Sequence, residues 1–272
     1  MIIQGTTIQG FSVYDATVNT SSSLLLYLDA NNTTSYSGSG TTLSDLSGNG
    51  YTHTLTNATY TVLNNVKCFD CTTTGVITVN STGPTLPSTG FTYICWARMI
   101  SSSATWRTLW RTSPDDHPLL IELGSDRLGM YDNNGANFQP SGYTAAGLAN
   151  TWAHFAVTGN STAQTFYING QQVGTTTYGT GGNRHNEWGS TGGGQPFGYV
   201  ANTVLYNTIL NVDKIRQHYA ATRNTFGTLT FTTVGTTSWV CPPDVTQVNY
   251  LVVGGGGGGG NAYDNSGGAG AG

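Results

Sequence analysis

Short runs of alternating, β-branched or aromatic residues recur between turns rich in Gly, Asn, Ser and Thr: residues 2–13, 24–28, 76–79, 91–99, 119–123, 152–157, 165–168 and 197–206. Period-two patterning at this cadence predicts an antiparallel β-sandwich. The firmest local feature is Asn169-Gly170 within residues 164–173. That pair tolerates the positive φ angles of a type I′ turn, and so predicts a hairpin. One helix is predicted after residue 210. Asn211 can cap the first turn, Leu210 and Ile215 occupy the two positions of a hydrophobic staple, and Ile215 with Tyr219 makes an i, i+4 apolar stripe. This helix is expected to pack on the sandwich and to end near Thr222 or Arg223.

The two ends differ from the middle. Residues 1–20 read as one or two extra strands that either complete the sandwich edge or attach to a partner by strand addition. Residues 227–272 hold two strand-like runs leading into Gly254 to Gly260. Polyglycine cannot fill a side-chain core, so this segment is either a linker or a lattice held by backbone hydrogen bonds. The expected organisation is therefore 1–20, 21–226 and 227–272.

Five landmarks occur in order: Leu24-Leu-Leu-Tyr-Leu-Asp-Ala30, Asp45-Leu-Ser-Gly-Asn-Gly50, Thr151-Trp-Ala-His-Phe-Ala-Val157, Phe166-Tyr-Ile-Asn-Gly170 and the stretch from Leu205 to Ile215. In order and spacing they resemble laminin G-like, concanavalin A-like jelly-roll domains over about residues 21–226. The resemblance implies an all-β sandwich of two curved sheets with one short helix, of the architecture of legume lectins and pentraxins. It also implies binding of glycans or proteins, sometimes with calcium. It places Trp96, Trp152, Phe155 and Phe166 in the core and makes the Asp45 segment a structural turn whose carboxylate caps local amides. The final segment resembles the start of glycine-rich domains found in viral and bacterial surface proteins, and implies a small glycine-rich β segment.

Charged residues make up only 8% of the 272, and the net charge is −4 without any basic run. That excludes the electrostatic footprint of a nucleic-acid binder. No stretch has the roughly 18 apolar residues of a membrane span, and the N-terminus lacks the pattern of a secretion signal. A charge-poor, Thr/Asn/Gly-rich texture without such a signal fits a part that reaches the outside by assembly. The expectation is a phage or other viral fibre, adhesin or decoration protein at the virion surface, binding host glycans or other virion proteins. It would be a homo-oligomer, and fibres of this sort often form trimers. The alternatives are a structural capsid or tail component without a ligand and a secreted lectin-like protein.

Candidate chemistry is sparse. The only glutamates are Glu122 and Glu187, no Glu-x-Asp-x-Glu strand motif is present, and Asp115-Asp116 are adjacent. Glycoside hydrolysis needs two carboxylates flanking one bond, so no enzymatic activity is expected. His154 reads as a packed strand residue. Cys68-Phe-Asp-Cys71 is only half of a zinc pattern, and within a strand the two thiols would face opposite sides. Sugar sites pair aromatic faces with Asp, Asn, Arg or backbone groups, and three stretches offer that mixture. They supply Trp106, Trp110, Arg111, Asp115 and His117; then Tyr131 and Asn133; then Arg184 and Trp188. The last stretch, residues 183–188 between glycine-rich loops, has the most exposed character. No cofactor is expected. A calcium ion could draw on Asp29, Asp45 or the Asp115–Asp116 pair, and Asp115 and Asp116 are the expected metal ligands.

Overall fold

The computed structural model describes residues 23–101, 104–113, 116–135, 137–189 and 194–226, with side chains as far as Arg223. The chain divides into two units, Met1–Thr228 and Leu229–Gly272. The described residues all belong to the first, so the strands expected in 1–20 and the glycine-rich segment lie outside them.

Sixteen strands and one α-helix are formed among the described residues. They are β1 (Leu24–Asp29), β2 (Thr42–Ser44), β3 (Thr52–Thr56), β4 (Thr59–Leu63), β5 (Val66–Cys71), β6 (Val76–Val79), β7 (Phe91–Met99) and β8 (Arg107–Ser113), followed by β9 (His117–Ile121), β10 (Arg127–Asp132), β11 (Asn137–Thr144), β12 (Trp152–Gly159), β13 (Gln164–Ile168), β14 (Gln171–Thr176), β15 (Arg184–Trp188), β16 (Gly198–Tyr206) and α1 (Val212–Phe226). The first sheet runs β14-β13-β12-β7-β16-β5-β4, with β1 also paired to β16. The second runs β11-β10-β9-β8-β15-β6-β3-β2. Every described strand pairing is antiparallel.

The core lies between the sheets. Leu26, Leu28, Phe69, Phe91, Phe155 and Phe166 from the first sheet meet Leu43, Leu109, Trp110, Leu119, Met130 and Trp188 from the second. One side of the sandwich closes where β14 approaches β11: a β-carbon on Gly174 would fall 1.9 Å from the Ser141 carbonyl oxygen, so no other residue fits. The β13–β14 hairpin turns at Asn169 (φ 51°) and Gly170 (φ 78°), the positive angles that a type I′ turn demands.

The outer face of the first sheet is covered by α1. Asn211 Oδ1 accepts from the Lys214 N–H at 2.9 Å, as an N-cap should, and Ile215 is fully buried with Leu210 packed against its cluster. The helix runs a turn further than its apolar stripe predicts, to Phe226. Trp96 Nε1 donates to Thr222 Oγ1 at 2.7 Å, and Trp96 stacks on Tyr219 at 5.9 Å. Beneath α1, His154 Nε2 lies 3.0 Å from His218 Nδ1, both rings buried. In β5, Cys68 packs in the cluster under α1 and Cys71 in the inter-sheet core, so the two thiols do face opposite sides. Burial pushes both thiols up to about 12, which keeps them protonated. Of the four expected core aromatics, Trp96, Phe155 and Phe166 are buried, while Trp152 is half-buried against the cluster under α1.

The edge of β1 facing away from β16 is closed by the 45–49 turn. Asp45 Oδ1 accepts from the N–H groups of Tyr27 (3.0 Å) and Ser47 (2.8 Å), Oδ2 accepts from Ser47 Oγ (2.6 Å), and Asn49 Nδ2 donates to the Leu24 carbonyl (3.0 Å). Hydrogen bonds to a charged group contribute about 1.5–3 kcal/mol each. Because the turn is partly open to water, Asp45→Ala should lower the unfolding free energy by about 2 kcal/mol, read as an earlier midpoint in urea. An unchanged midpoint would mean that the turn is not what holds β1.

Candidate functional site

On the outer face of the second sheet, Trp106, Tyr131 and Phe138 form a half-buried aromatic cluster. Tyr131 and Phe138 are cross-strand partners in the β10–β11 hairpin, which puts them on one face. Trp106, just before β8, meets both edge-on at 5.5 Å between ring centres. The Phe138 ring lies over Gly129, where a β-carbon would come within 2.8 Å of it. Leu128 and Met130, the alternate residues of β10, point into the core.

His117 joins this face although Leu119 and Ile121 of the same strand are core residues. The register of β9 shifts between its pairings Leu120↔Gly129 and His117↔Tyr131, next to Pro118, and such a bulge re-aims the side chain. His117 then meets Tyr131 edge-on at 6.3 Å. Thr108 gives its hydroxyl proton to Gln195 Oε1 (2.6 Å), so its oxygen accepts from His117 Nδ1 (2.9 Å). Around this row, Arg127 donates to Glu122 from Nε (2.6 Å) and from a terminal nitrogen (2.9 Å), and its guanidinium lies 5.3 Å from the Phe138 ring centre. The Arg127 pairing holds the Glu122 carboxyl below its usual range.

Three of the expected ligand residues, Trp106, His117 and Tyr131, are thus brought together, and the others are dispersed. Trp110 and Trp188 are corrections: they are 0% and 1% exposed and belong to the inter-sheet core, where no ligand reaches them. Trp188 Nε1 donates to the Tyr93 hydroxyl at 2.7 Å, and Tyr93 stacks on Trp110 at 4.4 Å. Residues 183–188, expected to be the most exposed stretch, instead carry strand β15 in the interior of the second sheet. Arg111 is half-buried and paired with Glu187 at 3.2 Å. Arg184 is exposed at the start of β15, opposite Ser113. Asn133 is an exposed turn residue whose N–H donates to Asp116 Oδ1 at 3.0 Å.

Asp116 is buried, and its Oδ2 accepts from Asn183 Nδ2 at 2.8 Å. Both its oxygens therefore serve N–H donors that tie the β8–β9 hairpin to its neighbours. Asp115 lies outside the described residues. Sequence reasoning missed Phe138, Thr108 and Gln195. The turn signal at Asn134-Gly135 could have found Phe138, because folding a hairpin there sets it against Tyr131. Thr108 and Gln195 carry no local signal.

The buried polar groups of the core have their own logic. Trp110 Nε1 donates to His185 Nδ1 at 3.0 Å, so neutral His185 carries its proton on Nε2 and gives it to His53 Nε2 at 3.1 Å. The remaining proton of His53 sits on a buried Nδ1 without a partner. A further proton on His185 would oppose the Trp110 N–H. Burial lowers the pKa of His53 to about 3 and pushes that of His185 well down, with the neighbouring His53 adding to the effect.

Two curved antiparallel sheets with a capping helix narrow the family. The sequence model of the concanavalin A-like lectin/glucanases superfamily, in its laminin G form, matches residues 72–216, more than half of the chain. The chain belongs to this superfamily. A glycine-rich domain model matches residues 232–272, outside the described residues. No curated protein matches the chain. Solved structures with this concanavalin A-like fold include a sialidase of Trypanosoma rangeli, at TM-score 0.56 and 18% identity over 78% of this chain and 34% of that one. The same sialidase in complex with sialic acid gives a TM-score of 0.55 at 18% identity, with the same shares covered. The binding domain of botulinum neurotoxin serotype C1 gives 0.56 at 15% identity, over 75% of this chain and 53% of that one. This chain spans about a third of the sialidase, 34%, and identities this low establish a shared fold. They also correct one expectation. Enzymatic activity was excluded for want of paired carboxylates, yet structures with this concanavalin A-like fold include sialidases, so that exclusion does not stand.

Proposed function

We propose that this chain is a carbohydrate-binding, lectin-like domain and that its ligand lies on the outer face of the second sheet. The observation that carries the reading is the half-buried Trp106–Tyr131–Phe138 cluster. The Trp106 indole N–H and the Tyr131 hydroxyl make no hydrogen bond to described residues and are open to a ligand. Aromatic faces and edges cover the apolar side of a pyranose, while the polar tips of Trp106 and Tyr131 and the half-buried Gln195 meet its hydroxyls. The appearance of a sialidase among structures of this fold supports a carbohydrate ligand by analogy.

The setting we propose is the surface of a virion, as a phage or other viral fibre, adhesin or decoration protein. Its partners would be other virion proteins, and it would be a homo-oligomer of the trimeric kind common in fibres. The charge-poor composition and the glycine-rich match support that setting. The rival readings are a structural virion component without a ligand and a secreted lectin-like protein.

On a glycan array, the protein should bind a defined set of sugars. Trp106→Ala should weaken that binding tenfold or more, about 1.4 kcal/mol, with an unchanged circular dichroism spectrum and with partial recovery in Trp106→Phe. Binding that survives Trp106→Ala would move the site elsewhere. No binding at all would favour the structural virion component.

A further inference from the structure

We infer that the ligand of this face is a neutral glycan, recognised by its ring faces and hydroxyls and not through a carboxylate; the inference rests on the proposal that the face binds carbohydrate. Sugars with a carboxylate are held by charge-assisted hydrogen bonds, most often from an arginine whose fork is available. The chain has nine lysines and arginines, and all nine lie among the described residues, so the cations can be accounted for one by one.

Arg107 is 1% exposed and turned inward, bonded to Asp126, to the Met99 sulfur at 3.6 Å and to the carbonyls of Ile100 (3.5 Å) and Glu122 (3.3 Å). Arg127 is the one cation that touches the aromatic cluster, and Glu122 already occupies its fork. A sugar carboxylate would have to displace an anion that is tethered five residues away and held in register by the β9–β10 hairpin. Arg111 is paired with Glu187. Arg184, exposed, stands opposite Ser113, five residues along β8 from Thr108, or roughly 17 Å at 3.4 Å per residue. Lys67 and Arg98 lie on the first sheet, and Lys214, Arg216 and Arg223 on α1. Nothing positive is therefore left uncommitted at the cluster: Glu122 and Asp126 balance Arg127 and Arg107, and Asp116 and Asp132 leave the strands that carry it net negative. An anionic sugar would meet a field of its own sign. A neutral one would be bound by contacts that salt does not screen.

The test uses the full chain on neutral oligosaccharides presented beside their sialylated counterparts, lactose beside sialyllactose among them, at about 0.05 and 0.5 M NaCl. The expected result is binding of neutral forms, changing less than about twofold between the two salt levels, weaker for every sialylated counterpart and lost in Trp106→Ala. Preference for sialylated forms, lost in Trp106→Ala and falling with salt, would overturn this inference and leave the carbohydrate site standing. Failure of both forms to bind would overturn the site and, with it, this inference.

Discussion

Trp188→Ala and Trp110→Ala should each cost about 3–5 kcal/mol of unfolding free energy, and neither should act as a simple binding mutant. Both indoles are almost wholly removed from solvent and lie among core residues of both sheets. Alanine would leave a cavity that the surrounding strands, pinned by their ladders, cannot collapse into. It would also strand a polar partner: the Tyr93 hydroxyl loses the Trp188 N–H, and His185 Nδ1 loses the Trp110 N–H. A domain is stable by about 5–15 kcal/mol, so either loss removes a large part of the total. Urea unfolding followed by fluorescence reads the effect directly. Trp110→Phe should recover most of the volume and still remain destabilised by about 1–3 kcal/mol, the cost of an unsatisfied buried acceptor. A Trp188→Ala protein that melts like the wild type but loses a ligand would contradict the placement of Trp188 in the core.

Stability should fall steeply between about pH 6.5 and pH 4, driven by four buried histidines. Burial lowers the pKa of His53 to about 3 and of His218 to about 4, and pushes those of His185 and His154 well down. The unfolded chain protonates these rings near 6.5, so below that pH it binds more protons than the folded chain does. Each histidine then withdraws up to about 1.4 kcal/mol per pH unit. Two of them are enough to remove roughly 4 kcal/mol between pH 6 and pH 4.5. The stabilising effect of neutrality is complete above about 6.5 and is lost progressively toward the folded-state values. The melting temperature measured by circular dichroism from pH 7.5 to pH 4 should drop accordingly, and the drop should be smaller in His154→Gln. A flat profile would mean that the rings accept protons in place.

Much of the sandwich was legible because its first sheet follows simple rules. The stretches around Tyr93, Phe155 and Phe166 are dense apolar and aromatic runs of strands buried on both faces, Asn169-Gly170 favours a turn, and Asn211 announces the helix. The second sheet was harder to read because its strands break those rules locally. β15 carries Arg184, His185, Asn186 and Glu187, which look like a loop until His53, Trp110 and Arg111 are seen to bond His185 and Glu187. β3 and β2 present threonine and serine outward with a single apolar residue each inward, Leu55 beside His53 in β3 and Leu43 in β2, too little contrast for a periodic signal. β11 contains Pro140 and Gly142, which conceal a strand that carries Phe138 to the edge of the sheet. Trp106 and Tyr131 were visible as chemistry, and Phe138 was not. Which of them face water depends on bulges at Pro118 and within β8 that a side-chain pattern does not reveal.

The chain has six tryptophans, each with an indole N–H that gives its own resonance in a nitrogen–proton correlation spectrum. Titrating a neutral oligosaccharide into the labelled protein tests the central claim most directly. The signal assigned to Trp106 should move in proportion to occupancy, while those of the buried Trp110 and Trp188 stay in place. Shifts confined to other tryptophans, with Trp106 unmoved at saturation, would contradict a carbohydrate site on the outer face of the second sheet.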